Sequence, residues 1–231
     1  MPISVLFEDD DILVINKPNN ILIHSSYYAR NIKSTPLIDI LEEEKEMKLY
    51  IVHRLDYKTS GVLLIAKSSA NAAALQQQFE ANKVEKIYTA LVRGFTPEAG
   101  MVDTPIKNAD TGKYRPALTT YKTLESFEVA IAVQPYPQSR YSLVKLFPKT
   151  GRMHQLRKHM NKISHPIIGD HRYGNRHHNK MYEDRLNCPE MFLHATSITF
   201  KHPVKKEQLT IIAPFPAFWD KAKKLLKEAA V

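Results

Sequence analysis

The segment His53-Arg54-Leu55-Asp56 carries the side chains of this 231-residue chain best suited to chemistry. It leads through Thr59-Ser60-Gly61 into the apolar run Val62-Leu63-Leu64-Ile65. An acid at the mouth of a strand, beside a glycine turn, can face a cleft while the strand anchors it. Asp56 can serve there as nucleophile or base, because carboxylates support covalent intermediates. Arg54, two residues earlier, supplies a planar cation suited to a phosphate or a base edge. The same residues also read as a structural Arg–Asp pair beside a turn, and this segment alone does not choose between the two.

A second segment, Lys86-Ile87-Tyr88-Thr89-Ala90-Leu91-Val92-Arg93-Gly94, has the content of a strand. Tyr88, Ala90 and Val92 share one face and Ile87, Thr89 and Leu91 the other, so both faces are largely apolar, as in a central strand. Tyr88 is then either a core residue with its hydroxyl satisfied or a ring that stacks on an unstacked base. A third segment, Pro148-Lys149-Thr150-Gly151-Arg152-Met153-His154-Gln155-Leu156-Arg157-Lys158-His159, predicts a helix over 151–161 capped by Thr150. Met153, Leu156 and Met160 form its apolar stripe, and His154, Arg157, Lys158 and Asn161 a polar face. That face is either solvated or carries a buried Arg that holds a catalytic carboxylate ionised.

Ten histidines invite a metal, above all His165, Asp170, His171, His177 and His178. Their spacing matches none of the usual zinc patterns, and the single cysteine, Cys188, offers no thiolate cluster. With seven glycines in all, the chain shows no phosphate-cradling loop and no dinucleotide fingerprint. One cysteine also excludes a disulfide framework and fits a reducing compartment. Lys and Arg number 33 against 24 Asp and Glu, a formal net charge of +9 that points to a polyanionic partner. The N-terminus runs into Asp9-Asp10-Asp11 without a secretory pattern, and no apolar stretch reaches the roughly 18 residues of a membrane span. The expectation is a cytoplasmic protein with no membrane contact.

The elements that must position these residues are partly legible. Residues 3–7 and 12–15 read as an antiparallel pair, 17–20 as a turn, 36–47 as a helix and 62–66 as a buried strand. Ser68 or Ser69 caps a helix whose Ala72, Leu75 and Phe79 fall at helical spacing. Residues 96–118, with three prolines and two glycines, read as loop, followed by strands at 119–124, 127–133 and 141–147. The stretch 164–190 reads as irregular, 192–200 with 207–213 as a hairpin, and 216–229 as a terminal amphipathic helix. Strands outnumber helices without strict alternation, which predicts an α+β fold.

Together the three segments resemble the RluA family of pseudouridine synthases. The family's motifs stand in order: His-Arg-Leu-Asp with Thr-Ser-Gly at 53–61, Lys-x-Tyr-x-Ala-x-Val-x-Gly at 86–94, and Gly-Arg-x-His-Gln-Leu-Arg-x-His at 151–159. Supporting matches are Asn16-Lys17-Pro18, His165-Pro166-Ile167-Ile168-Gly169-Asp170 and Leu193-His194-Ala195. Within the family, the run Tyr136-Pro137-Gln138-Ser139-Arg140-Tyr141-Ser142-Leu143-Val144 and the lengthened loop after Asp170 are most similar to the tRNA-modifying C branch. That branch acts on the uridine at tRNA position sixty-five.

The resemblance implies a single catalytic domain over 1–231, with a mixed, largely antiparallel central sheet flanked by helices and loops. With only 52 residues before His53, no N-terminal S4-type RNA-binding domain is expected. It implies isomerisation of uridine to pseudouridine in RNA, with the target base flipped out, no cofactor, no metal and no obligate protein partner. Asp56, Tyr88 and Arg157 are carried over as catalytic: the initiating carboxylate, the ring that stacks on the base and assists proton transfer from C5, and the partner of Asp56. Arg54 is carried over to fill the space the flipped base leaves, and Leu193 to pack on the uracil. His53, Arg152, His154 and Lys158 complete the expected RNA contacts. The alternatives are the same reaction on ribosomal RNA, a non-catalytic RNA-binding or chaperone-like protein on this fold, and a metal-dependent nuclease, which the spacing supports poorly.

Overall fold

A computed structural model describes residues 3–25 and 34–231 of the chain. Part of the polar stretch that follows the 17–20 turn, residues 26–33, lies outside them. The described strands are β1 (Ser4–Glu8), β2 (Ile12–Lys17), β3 (Tyr50–Ile51), β4 (Ser60–Ala66), β5 (Glu85–Arg93), β6 (Ala99–Asp103), β7 (Ile106–Lys107), β8 (Tyr114–Arg115), β9 (Leu118–Val129), β10 (Ser139–Pro148), β11 (Leu193–Lys201) and β12 (Gln208–Ile212). The helices are α1 (Leu37–Lys45), α2 (Ser69–Glu80), α3 (Gln155–Lys162), α4 (Arg176–Leu186) and α5 (Phe218–Glu228). The fold is α+β, as the strand-rich order predicts. Among the described residues no helix is long and apolar enough to cross a membrane.

Contacts group the chain into two compact units, the first Met1–Lys86 with Ala195–Pro214, the second Ile87–His194 with Phe215–Val231. In the first, β2 pairs antiparallel with both β1 and β4, β3 pairs with β4, and β11 pairs with β12. Every residue of β4 is buried, so its continuous apolar run reflects cover on both faces. Ile12, Val14, Val62 and Leu64 pack there with Ala72 and Leu75 of α2 and with Ile198 and Phe200. Ser68 begins α2 by accepting the Asn71 N–H, the expected cap.

In the second unit the antiparallel order is β5-β10-β9-β6. Alternation along β5 and β10 divides their side chains between two cores. Leu91 and Tyr141 face α4 and α5, with Tyr182, Phe192 and Trp219. Ala90, Val92, Val144 and Leu146 face α3, with Leu156 and Met160. Helices cover both faces, which is why β5 reads as apolar on both sides.

The structure corrects four expectations. The strands expected at 119–124 and 127–133 are one strand, β9, with a register irregularity where Leu143 and Val144 pair with Glu125 and Thr123. Residues 96–118 hold β6 and the small β7–β8 ribbon as well as turns, because prolines are tolerated between short edge strands. The irregular stretch 164–190 contains α4, capped by Asn175, whose side chain accepts from the His177 and His178 N–H groups. Finally, α3 starts at Gln155 rather than 151, after His154 in the left-handed region at φ 56°, and Thr150 does not cap it. The Thr150 hydroxyl instead donates to Gln155 Oε1 at 2.7 Å and accepts from the Leu118 N–H.

Candidate active site

Asp56 sits in the first unit, half-buried, in the connection between β3 and β4. Val52 and Leu55 anchor that connection in the interior. Its carbonyl accepts the Thr59 N–H, closing a turn over 56–59. Beneath the turn lies Lys17, wholly buried at the end of β2. Its Nζ donates to the carbonyls of Tyr57 at 3.2 Å, Thr59 at 2.8 Å and Pro18 at 2.9 Å. Asn19 adds a bond from Nδ2 to the Lys58 carbonyl at 2.7 Å. The Asn16-Lys17-Pro18-Asn19 run is thus a clamp on the Asp56 turn. Burial pushes Lys17 down to about 7, and the Asp56 charge opposes that fall. Three carbonyl acceptors match the three donors of an ammonium, whereas a neutral amine has two, so the geometry is built for the charged form.

The neighbours of Asp56 divide sharply. His53 accepts the Leu64 N–H at Nε2 (2.9 Å) and lies stacked on Phe79 with centroids 4.9 Å apart. Burial, with the Lys86 charge adding, pushes it down to about 3. It is a neutral strut for β4, placed to support the Asp56 connection. Arg54 is exposed. Gly61 adopts φ +111°, and a Cβ there would stand 2.2 Å from the Ala195 carbonyl oxygen. Only glycine lets β4 begin this close to β11.

The second unit holds Tyr88 and Arg157. Tyr88, opposite Leu146 on β10, is half-buried against the α3-facing core, on the face it shares with Ala90 and Val92. Leu193 is buried in the same core. Arg157, 8% exposed, is a buried arginine rather than a solvated one. It makes a bidentate pair with Asp170, Nε to Oδ2 at 2.7 Å and Nη2 to Oδ1 at 2.9 Å. Asp170 is 1% exposed and also accepts the N–H groups of Arg172 and Tyr173. Burial alone would raise its carboxyl; the Arg157 bonds and charge, with the two backbone donors, outweigh that and hold it below the usual range. The sequence offered Asp170 inside a supporting match and among the candidate metal ligands; its role as the group that fixes the guanidinium plane comes from the structure.

Around this pair, the Tyr173 ring lies 5.1 Å from the Arg157 guanidinium, and its hydroxyl is 3.1 Å from His154 Nδ1. His154 and Lys158 are half-buried near the start of α3. Arg152 donates from Nε to the Pro116 carbonyl at 3.1 Å, tying the 151–155 turn to the link between β8 and β9. Gln155 is the buried centre of that turn, accepting the Arg152 N–H and donating to Leu118 O and Thr119 Oγ1. Its place in the Gly-Arg-x-His-Gln run therefore reflects folding.

Among the described residues, one group of three side chains comes within reach of a shared cation: Asp9, Asp11 and His202. His202 accepts the Val204 and Lys205 N–H groups at Nδ1, so Nε2 carries the proton and donates to Asp9, which Lys205 also neutralises. That arrangement closes a turn and presents no open ligand set.

The first unit thus holds a carboxylate on a clamped turn, and the second an arginine fixed in its interior by a buried carboxylate. Residues 11–162 match the family of RNA pseudouridylate synthases, and the chain belongs to that family. It is 39% identical to the tRNA pseudouridine synthase C of Pectobacterium carotovorum subsp. carotovorum, over 94% of this chain and 60% of that protein. To the tRNA pseudouridine synthase C of Haemophilus ducreyi it is 38% identical, over 95% of this chain and 93% of that one. Among solved structures it is similar to human RNA pseudouridylate synthase domain containing 1, with TM-score 0.73 and 27% identity over 93% of this chain and 84% of that one. It is also similar to human RNA pseudouridylate synthase domain containing 4, with TM-score 0.72 and 26% identity over 97% and 93%.

Proposed function

We propose that this pseudouridine synthase acts on tRNA, at the uridine of position sixty-five, as one catalytic domain that uses Asp56, Tyr88 and Arg157. The reaction breaks the bond from the sugar to uracil N1, which takes up a proton, and rejoins the sugar through C5, which gives one up to solvent. It needs no redox change and no external group. A uridine in a stem is out of reach, so the nucleotide is extruded, at a cost of a few kcal/mol. Exposed Arg54 fills the gap left in the helix. Asp56 starts the reaction as an anion on a turn that Lys17 keeps from moving. Tyr88 stacks on the flipped base, and its hydroxyl assists departure of the C5 proton. Arg157, its plane set by Asp170, supplies the cation that partners Asp56. Leu193 packs on the uracil, and Arg152, His154 and Lys158 line the approach of the RNA. His53 acts indirectly, through β4.

The observation that carries this reading is the bidentate pair of Arg157, in the third motif, with Asp170, which turns a helix arginine into a fixed, buried cation. The names of the relatives support tRNA as the substrate. The test is tritium release from tRNA labelled at uridine C5, with the modified position mapped. Modification at position sixty-five is expected. Release from ribosomal RNA alone would overturn the substrate, and no release from either would overturn the activity.

A further inference from the structure

We propose that residues 171–180, the segment that follows Asp170, form a preformed grip for the phosphate backbone of the RNA substrate. This rests on the RNA-directed activity and adds where the flanking RNA is held. From His171 to Tyr182 there is no carboxylate, while His171, Arg172, Arg176, His177 and Lys180 are all exposed. The first acids beyond it are Glu183 and Asp184, and Asp184 pairs with Lys180 along α4. Among the described residues the cations of this run without a carboxylate partner are therefore Arg172 and Arg176, at the start of an 11-residue helix with no acidic residue in its first turn. The helix dipole adds positive potential at the same place.

Most exposed basic runs are mobile. This one is held from beneath at nearly every residue. The N–H groups of Arg172 and Tyr173 bond to the Asp170 carboxylate. The Gly174 N–H bonds to the Asp170 carbonyl, so close that a Cβ on Gly174 would stand 2.2 Å from that oxygen. Asn175 caps α4, and buried Asn179 donates to the Asp170 carbonyl while accepting the Gly169 N–H. His178 is locked between the Tyr141 hydroxyl at 2.9 Å and Arg93 Nε at 3.2 Å. The Arg172 guanidinium lies over Tyr173, 5.5 Å from the ring centroid, on the ring that also meets Arg157. Cations whose backbone is already ordered lose less freedom when a phosphate arrives. The shelf shares Asp170 with Arg157, so RNA seated on it is registered to the catalytic cluster of the same unit.

The experiment is filter binding of an unmodified tRNA transcript across a salt series, with steady-state tritium release, on the full chain and its Arg172→Gln/Arg176→Gln variant. The slope of log affinity against log salt should flatten by about 0.7–0.9 for each phosphate contact removed. KM should rise on the order of tenfold at moderate salt, with kcat unchanged. Arg172→Lys/Arg176→Lys should keep the salt slope, because a phosphate contact needs charge more than a planar fork. The single Arg176→Gln change, at an exposed side chain that bonds to exposed His177, guards against a folding defect. An unchanged slope and KM would overturn the proposal and leave a solvated face. A fall in kcat at constant KM would also overturn it, assigning Arg172 to positioning Arg157 through Tyr173. Neither outcome touches the activity itself, which the unaltered chain reports in the same assay.

Discussion

Replacing Asp170 by Asn should destabilise this protein far more than a loss of one surface charge. Asp170 and the Arg157 side chain are 1% and 9% exposed, and the carboxylate accepts four hydrogen bonds. Asn keeps the volume but removes the countercharge, and its amide NH2 turns one acceptor edge into a donor. Arg157 cannot shed its proton, so a buried cation loses the carboxylate that fixes it. Breaking such a pair costs about 3–5 kcal/mol. For a chain of this size each kcal/mol moves Tm by about 2–4 °C, which gives a fall of about 6–20 °C. The pH dependence supplies an independent check. Asp170 is held below its unfolded value, so its contribution is complete above the unfolded pKa and is lost as pH falls through the folded one. The gap between wild type and Asp170→Asn, measured by urea denaturation, should therefore be full at neutral pH and close progressively below about pH 4. A loss under about 1 kcal/mol at pH 7, the scale of an exposed ion pair, would refute the reasoning.

Histidines His53 and His178 are pushed down to about 3 and about 4, mainly by burial, so in the folded protein both stay neutral where the unfolded chain is protonated. Stability should fall as pH drops from about 6.5 toward 4, by up to about 2.7 kcal/mol per pH unit for the two protons, and His53→Gln should remove about half that slope in denaturant titrations. Tyr88→Phe keeps the ring and removes the hydroxyl. KM for tRNA should hold while kcat falls by about 10²-fold or more, and full activity would leave Tyr88 a stacking role only. Arg157→Lys cannot reproduce the two-pronged pairing with Asp170; a large loss of turnover is expected, and unchanged single-turnover rates would make Arg157 purely structural.

What the sequence revealed, and what it hid, follows from the range of the interactions involved. The β1–β2 pair, α2 with its Ser68 cap, β5, β10 and the β11–β12 hairpin all follow from local pattern, because local composition and tertiary burial agree there. Helix α4 was hidden because its inward face is built from His178 and Asn179 as well as Met181 and Tyr182, so no apolar period marks it. The start of α3 was misplaced because Thr150 resembles a cap but serves Gln155 and Leu118, a tertiary use that spacing cannot reveal. Asp56, Tyr88 and Arg157 stand in recognisable runs, and only the fold, which sets Asp170 beside Arg157, decides between a solvated and a buried arginine. Lys17 was visible as part of a turn. That its ammonium clamps carbonyls some forty residues away is a property of the fold.

Whether Asp56 performs the chemistry is read from tritium release from C5-labelled tRNA by Asp56→Asn, measured alongside tRNA binding by the same variant. Binding should persist while release vanishes, since an amide is neither a nucleophile nor a base of comparable strength. Substantial release by the Asn variant would contradict it.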